Sequence, residues 1–167
     1  MKYLEVIKSL ISPEILSSEL FIREFVRVPK SGANDAEIKI AETKIKNSIA
    51  EQYKVFLKTW NGIGLDMLRF YGVGSCEEGI RNIESNQIIG VSNPENYVAF
   101  ASDAAGFVYL HNDIGVIYEL DTDGGEIGRL ADDFDEFVTS YLFGERSVEY
   151  MGKEWVDELR QAGVIKT

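Results

Sequence analysis

Glu51-Gln52-Tyr53-Lys54-Val55-Phe56-Leu57-Lys58-Thr59-Trp60-Asn61-Gly62 is the stretch on which the fold turns. Tyr53, Phe56, Leu57 and Trp60 recur at i, i+3, i+4 and i+7, which predicts an amphipathic helix from about Glu51 to Trp60. Asn61-Gly62 supplies a left-handed stop. Everything before this point reads as helix or connector. The next seventy or so residues read mostly as strand and turn.

Working back toward the N-terminus, a second helix is expected from Asn34 or Asp35, with Ile38, Ala41, Ile45 and Ile49 near one face. Asn47-Ser48 interrupts it. Val28-Pro29-Lys30-Ser31-Gly32-Ala33-Asn34 has the composition of a connector. Before it, the first thirty residues read as helical. Ser12-Pro13-Glu14 offers an N-cap, a first-turn proline and an acid, and Ile15, Leu16, Leu20 and Phe21 follow at helical spacing.

Working forward, short apolar and aromatic runs broken by Gly, Asn and Asp predict strands at Leu65–Tyr71, Tyr97–Ala101, Phe107–His111, Ile114–Leu120 and Glu126–Leu130. A short helix is expected over Ser75–Asn86, capped by Ser75, with Ile80 and Ile83 inward. His111-Asn112-Asp113-Ile114-Gly115 and Asp121-Thr122-Asp123-Gly124-Gly125 have turn chemistry, so the last three strands should form an antiparallel meander. The chain then returns to helix. Asp132 or Asp133 caps a run that places Phe134, Phe137, Val138, Tyr141 and Leu142 on one face, ended by Gly144, and a last helix covers Lys153–Ala162. Helices, then strands, then helices without βαβ alternation predict an α+β fold: a largely antiparallel sheet of about five or six strands packed with N- and C-terminal helices.

At 167 residues, 45% of them hydrophobic, the chain is expected to form one domain with a core of its own. No run approaches the roughly 20 apolar residues of a membrane helix, and no secretory leader pattern opens the chain. A soluble cytoplasmic protein, monomeric or weakly dimeric, is the expectation. The charge is uneven. Residues 1–60 carry ten bases against eight acids, whereas residues 61–167 carry seven against twenty. Within 101–136 lie ten acids, Asp103, Asp113, Glu119, Asp121, Asp123, Glu126, Asp132, Asp133, Asp135 and Glu136, and one base, Arg129. A net charge of −11 argues against nucleic acid as a direct ligand. A field of this sign steers basic partners instead.

No catalytic centre, metal site or cofactor site can be assembled from these residues. His111 and Cys76 are the only histidine and the only cysteine, too few for a zinc set, an internal disulfide or a choice of triads. Gly72-Val73-Gly74-Ser75 lacks the third glycine of a dinucleotide loop, and no Gly-Lys-Ser/Thr follows. If Gly125 held the glycine position of a calcium loop, the first, third and fifth ligands would fall on Leu120, Thr122 and Gly124, so that motif fails in register. The acids of 132–136 are explained by the dipole of the helix they start.

Five groups of residues occur in order along the chain: Ala36-Glu37-Ile38 with Ala41-Glu42, Tyr53-Lys54-Val55-Phe56-Leu57 leading into Trp60-Asn61-Gly62, Phe100-Ala101-Ser102-Asp103-Ala104-Ala105-Gly106-Phe107, Gly115-Val116-Ile117-Tyr118 and Phe134-Asp135-Glu136-Phe137. With them the chain, from Ala36 to Gly144, resembles the SUKH superfamily, which includes the yeast Smi/Knr regulators of cell-wall assembly and many bacterial immunity proteins. The Leu-Pro usual before the Tyr-containing helix is here Ile49-Ala50. The resemblance leaves the segment before Ala36 unexplained.

The expected organisation is a single SUKH-like domain over 1–167, with a helical extension at 1–33, a core at 34–144 and a C-terminal helix at 145–167. The resemblance implies an immunity protein that neutralises a cognate toxin by binding it, a nuclease being one such toxin, or else an adaptor of the same fold with no toxin partner. Trp60, Asn61, Gly62 and Gly106 are expected to serve packing and turns. Loop residues on a rigid scaffold are better contact candidates, and Asp103, Tyr109, Asp113, Asp121 and Asp123 are the ones singled out for a protein partner.

Overall fold

The computed structural model describes residues 1–20, 26–65, 67–88 and 95–166. The chain divides into two compact units, Arg23–Arg129 and a second made of Met1–Ile22 with Leu130–Thr167.

The first unit holds helices α3 (Asp35–Ile45) and α4 (Glu51–Thr59). The second begins with α1 (Lys2–Leu10) and α2 (Pro13–Leu16). The strands are β1 (Val26–Arg27), β2 (Ile63–Leu65), β3 (Leu68–Phe70), β4 (Val98–Ser102), β5 (Phe107–His111), β6 (Ile117–Asp121) and β7 (Ile127–Ala131), whose last two residues fall in the second unit. They form one sheet in chain order, β1 to β7, and the pairings from β1–β2 through β5–β6 are antiparallel.

The meander was legible, but among the described residues the sheet has seven strands rather than five or six, because the expected strand Leu65–Tyr71 is a hairpin. Leu65 pairs with Leu68. Ile63, Leu65, Leu68 and Phe70 are all buried. In one continuous strand residues 65 and 68 would point to opposite faces, and only a reversal brings both inward. The other unexpected strand, β1, lies in a segment read as helix and connector. It pairs Val26 with Leu65.

Helix α4 covers one face of the sheet. Tyr53, Phe56 and Leu57 are buried on it. Phe56 meets Phe70 at 5.4 Å between ring centroids, and Tyr53 meets Phe100 at 5.0 Å. Phe100 is the extra residue of a register shift between Ala99 and Ala101. That bulge aims its carbonyl at two donors, the Tyr71 N–H at 2.8 Å and the Tyr53 hydroxyl at 3.0 Å. Helix α3 starts as expected, with a reciprocal capping box between Asn34 and Glu37. It ends at Lys46 in the left-handed region.

Trp60-Asn61-Gly62 closes α4 by three separate means. Trp60 is buried and leaves the helix in an extended conformation. The Asn61 side-chain amide donates to the Val73 carbonyl at 3.0 Å and its oxygen accepts the Val73 N–H at 2.7 Å, as a neighbouring strand would. Gly62 takes φ +90 where the chain passes close to Gly72 and Phe70.

The helix expected over Ser75–Asn86 does not form. The segment is a series of turns tied down by a parallel bridge between Gly72 and Asn82. Asn82 explains much of this. Its amide donates to the Gly74 carbonyl at 3.3 Å and its oxygen accepts the Ser85 N–H at 2.9 Å, local bonds that compete with a helix. Ile83 is nonetheless inward, as read from the sequence, while Ile80 is half-buried.

In the second unit, α1 buries Tyr3, Ile7 and Leu10 at i, i+4 and i+7. Helix α2 stops after one turn because the Ser17 and Ser18 hydroxyls bond back to the Pro13 and Ile15 carbonyls, so Leu20 lies beyond it. Phe21, expected on the same helix, is outside the described residues. After β7 come α5 (Phe134–Glu136), running directly into a π-helical turn (Phe137–Leu142), then α6 (Ser147–Met151) and α7 (Lys153–Gln161). Phe134, Phe137, Val138, Tyr141 and Leu142 are all buried, so the apolar face was read correctly although the winding is wider than α. The segment 1–20, which the resemblance left unexplained, belongs to this unit. Tyr3 stacks edge-on against Phe134 at 4.9 Å and its N–H donates to the Asp135 carboxylate at 2.8 Å.

Candidate partner-binding surface

In a meander, alternate turns share an end of the sheet, and the β4–β5 and β6–β7 turns therefore abut. Thr122 joins them, its N–H and hydroxyl both donating to the Gly106 carbonyl at 3.1 and 2.7 Å. Gly106 has φ +95, and a Cβ there would meet the Thr122 hydroxyl at 3.3 Å. The tight turn expected at Gly106 is therefore present.

This end gathers Asp103, Asp121 and Asp123. Asp103 Oδ1 accepts the N–H groups of Ala105 at 3.0 Å and Phe107 at 3.1 Å, and Oδ2 accepts the Tyr109 hydroxyl at 2.9 Å. Asp121 Oδ1 accepts the Asp123 N–H at 2.9 Å, and Asp123 itself is exposed. Tyr109 is 1% exposed. Its ring lies in the core, against the expectation of a loop contact, because it sits on the sheet face that α4 covers.

Asp113 is at the opposite end, exposed on the β5–β6 turn beside Ile114, which is 79% exposed. Asn112 shapes that turn by accepting the N–H groups of Ile114 and Val116. The acids of 132–136 belong to the other unit and have local work. Asp133 caps α5 through the Glu136 N–H, Glu136 accepts the Asp132 N–H and pairs with Arg146 at 3.8 Å, and Asp135 holds Tyr3. Within Arg23–Arg129 the acids that are neighbours in sequence are thus shared between the two ends of the sheet.

The one histidine is structural in its contacts. His111 is 1% exposed, Nε2 accepts the Ala50 N–H at 3.2 Å and Nδ1 lies 2.9 Å from the Asn112 carbonyl. The first bond requires a lone pair on Nε2, which puts the proton on Nδ1, donating to Asn112. The neighbouring Ile49 N–H goes to the Glu42 carboxylate at 2.9 Å. Glu42 and His111 thereby satisfy the entry to α4 that Ile49-Ala50 leaves without a side-chain cap.

Burial holds the His111 pKa below its ordinary 6.5, against a smaller opposing pull from the Asn112 carbonyl. A base with a lowered folded pKa takes up its proton in the unfolded chain first. Its contribution to stability is therefore complete above about pH 6.5 and is lost as the pH falls below it. The melting temperature is expected to drop between pH 6.5 and 5 by more in the native protein than in His111→Gln, whose amide can accept from Ala50 without titrating. Equal drops in the two proteins would exclude His111 as the source.

Burial likewise pushes the Cys76 thiol up from its ordinary range, with the Glu84 charge adding to the effect, and Sγ contacts the Ile80 carbonyl at 3.2 Å. Among the described residues no three His, Cys, Asp or Glu side chains are grouped to hold a metal ion, and no helix is long and apolar enough to cross a membrane.

A seven-strand meander backed by α4, with its acids on connecting turns, defines a small α+β domain whose distinctive chemistry is a charged surface. The chain belongs to the SMI1/KNR4 family (SUKH-1), whose family model matches residues 32–140, 109 of the 167. No curated protein matches the chain at a significant level.

Proposed function

We propose that this protein is a cytoplasmic immunity protein that binds a cognate toxin domain and blocks it, with 1–167 acting as one SUKH-like domain. The observation that carries the reading is the pairing of the 103–106 and 121–125 turns through Thr122 and Gly106, which brings Asp103, Asp121 and Asp123 to one end of a rigid sheet. Carboxylates fixed by backbone N–H groups meet a basic surface without a further loss of side-chain freedom. A nuclease groove, basic because it takes nucleic acid, is such a surface. Asp113, on the opposite turn, would make a separate contact, and Tyr109 acts through Asp103. Membership of a family described by SMI1 and KNR4 supports an adaptor with a non-toxin partner as the second reading.

Co-expression decides between them. The toxin domain encoded beside this gene should arrest growth alone and be tolerated with this protein, and Asp121→Lys with Asp123→Lys should abolish protection while the variant stays folded. Equal killing with and without the protein, for each neighbouring toxin, rejects the immunity reading.

A further inference from the structure

The strands that carry those acids have a second face. Antiparallel pairing sets Tyr109 opposite Glu119 and His111 opposite Ile117, on the side covered by α4, and sets Val108 opposite Leu120 and Leu110 opposite Tyr118 on the other side. Gly128 belongs to the α4 side, since a Cβ there would lie 3.9 Å from Glu119 Cγ. Ile127 and Arg129, one residue to either side of it, therefore project with Leu120 and Tyr118.

That second face is unevenly covered. Near β4 it is closed: Gln87 pairs with both the N–H and the carbonyl of Ala99, and Ala99 and Leu110 are fully buried. Toward β7 it opens. Val108, Tyr118 and Leu120 are only half-buried, Ile127 is 43% exposed, Arg129 is exposed, and Tyr97 packs its ring edge-on against Tyr118 at 5.1 Å. Two tyrosines, three aliphatic side chains and an arginine at one corner of a sheet have the make-up of an interface centre rather than of ordinary surface. Its rim is acidic, with Glu95, Asp123 and Glu126 all exposed.

We propose that this corner, centred on Tyr118 and Ile127 and edged by Tyr97 and Arg129, is the surface that docks the protein partner, and that the partner presents a basic rim around an apolar or aromatic side chain. The charge around the corner selects that occupant. Three rim acids against one arginine disfavour a second copy of a chain carrying −11 and favour lysine- or arginine-rich protein. The inference rests on the immunity reading and deepens it: the acids of the 121–125 turn steer, and the apolar corner beside them holds.

The test is calorimetric titration of the full-length protein with the purified toxin domain encoded beside the gene. Ile127→Glu and Tyr97→Ala should each weaken binding by about 30-fold or more, the scale of an interface hot spot. Ile40→Glu, which changes an isoleucine 55% exposed on α3, should shift it less than about threefold. Two sites are varied so that a loss of fold at one, seen by circular dichroism, leaves the other informative. Native-like affinity in both folded variants overturns this surface and leaves the immunity reading intact, and absence of binding by the unsubstituted protein overturns both. Light scattering on the protein alone completes the test: a dimer that Ile127→Glu dissolves would assign the corner to a second copy and overturn the proposal.

Discussion

Gly62→Ala is expected to destabilise the protein by about 3 kcal/mol or more, which for a chain of this size lowers the melting temperature by roughly 6–12 °C. Two causes add. Gly62 holds φ +90, where an L side chain is strained. A Cβ at this position would also lie 2.8 Å from the Gly72 nitrogen and 2.9 Å from the Phe70 carbonyl oxygen, and closer still to the Ile80 side chain. The two backbone atoms belong to the strand region that α4 packs on and cannot swing aside as a long side chain would. Gly74→Ala separates the causes, because Gly74 has φ +60 with open space around it. That variant should cost only about 1 kcal/mol. Equal melting temperatures for the two variants would mean that the close approach at Gly62 contributes nothing.

Tyr53→Ala should cost about 3–5 kcal/mol and Tyr53→Phe about 1–3 kcal/mol. The larger figure is a packing loss. The ring is 1% exposed and lies 5.0 Å from Phe56 and 5.0 Å from Phe100. The smaller figure is the hydroxyl, which donates to the Tyr71 carbonyl at 2.6 Å and approaches the Phe100 carbonyl at 3.0 Å. One proton serves the Tyr71 and Phe100 carbonyls, so removing it leaves buried acceptors with one partner fewer. Burial drives the phenol pKa well above its ordinary range, with the neighbouring Tyr71 ring adding to the rise and the hydrogen bond to the Tyr71 carbonyl opposing it. Urea melts of the two variants provide the check. A Tyr53→Phe protein as stable as the original would show that this bond contributes no net stability.

Those two residues also mark how much could be read without the fold. Tyr53 was assigned to the buried face of α4 by spacing alone, as were Phe137, Val138 and Tyr141 to theirs, because helix periodicity is set by neighbours three and four residues apart. The turns at Gly106, Asn112–Gly115 and Asp121–Gly125 were legible for the same reason: φ > 0 and local side-chain bonds are properties of a few consecutive residues. What stayed hidden depended on partners distant in sequence. The β2–β3 reversal shows itself in the pairing of Leu65 with Leu68, β1 exists because β2 gives it an edge, and the loop at 75–88 is held by Gly72, Gly74 and Ala99.

The candidate surface divides along the same line. Sequence alone determined that the protein is acidic beyond residue 60, that Asp103, Asp121 and Asp123 lie in or beside turns, and that Trp60-Asn61-Gly62 ends a helix, since each follows from composition or from spacing within one element. Only the tertiary structure decided which acids meet. The register of β5 against β6 brings Asp121 opposite Phe107 and so beside the turn that Asp103 closes, carries Asp113 to the far end, and turns Tyr109 inward beneath α4. The physical reason is that a strand exposes its side chains alternately while a meander reverses direction at every turn. Which face and which end a residue occupies is therefore set by hydrogen bonds to a strand that its own neighbours do not specify.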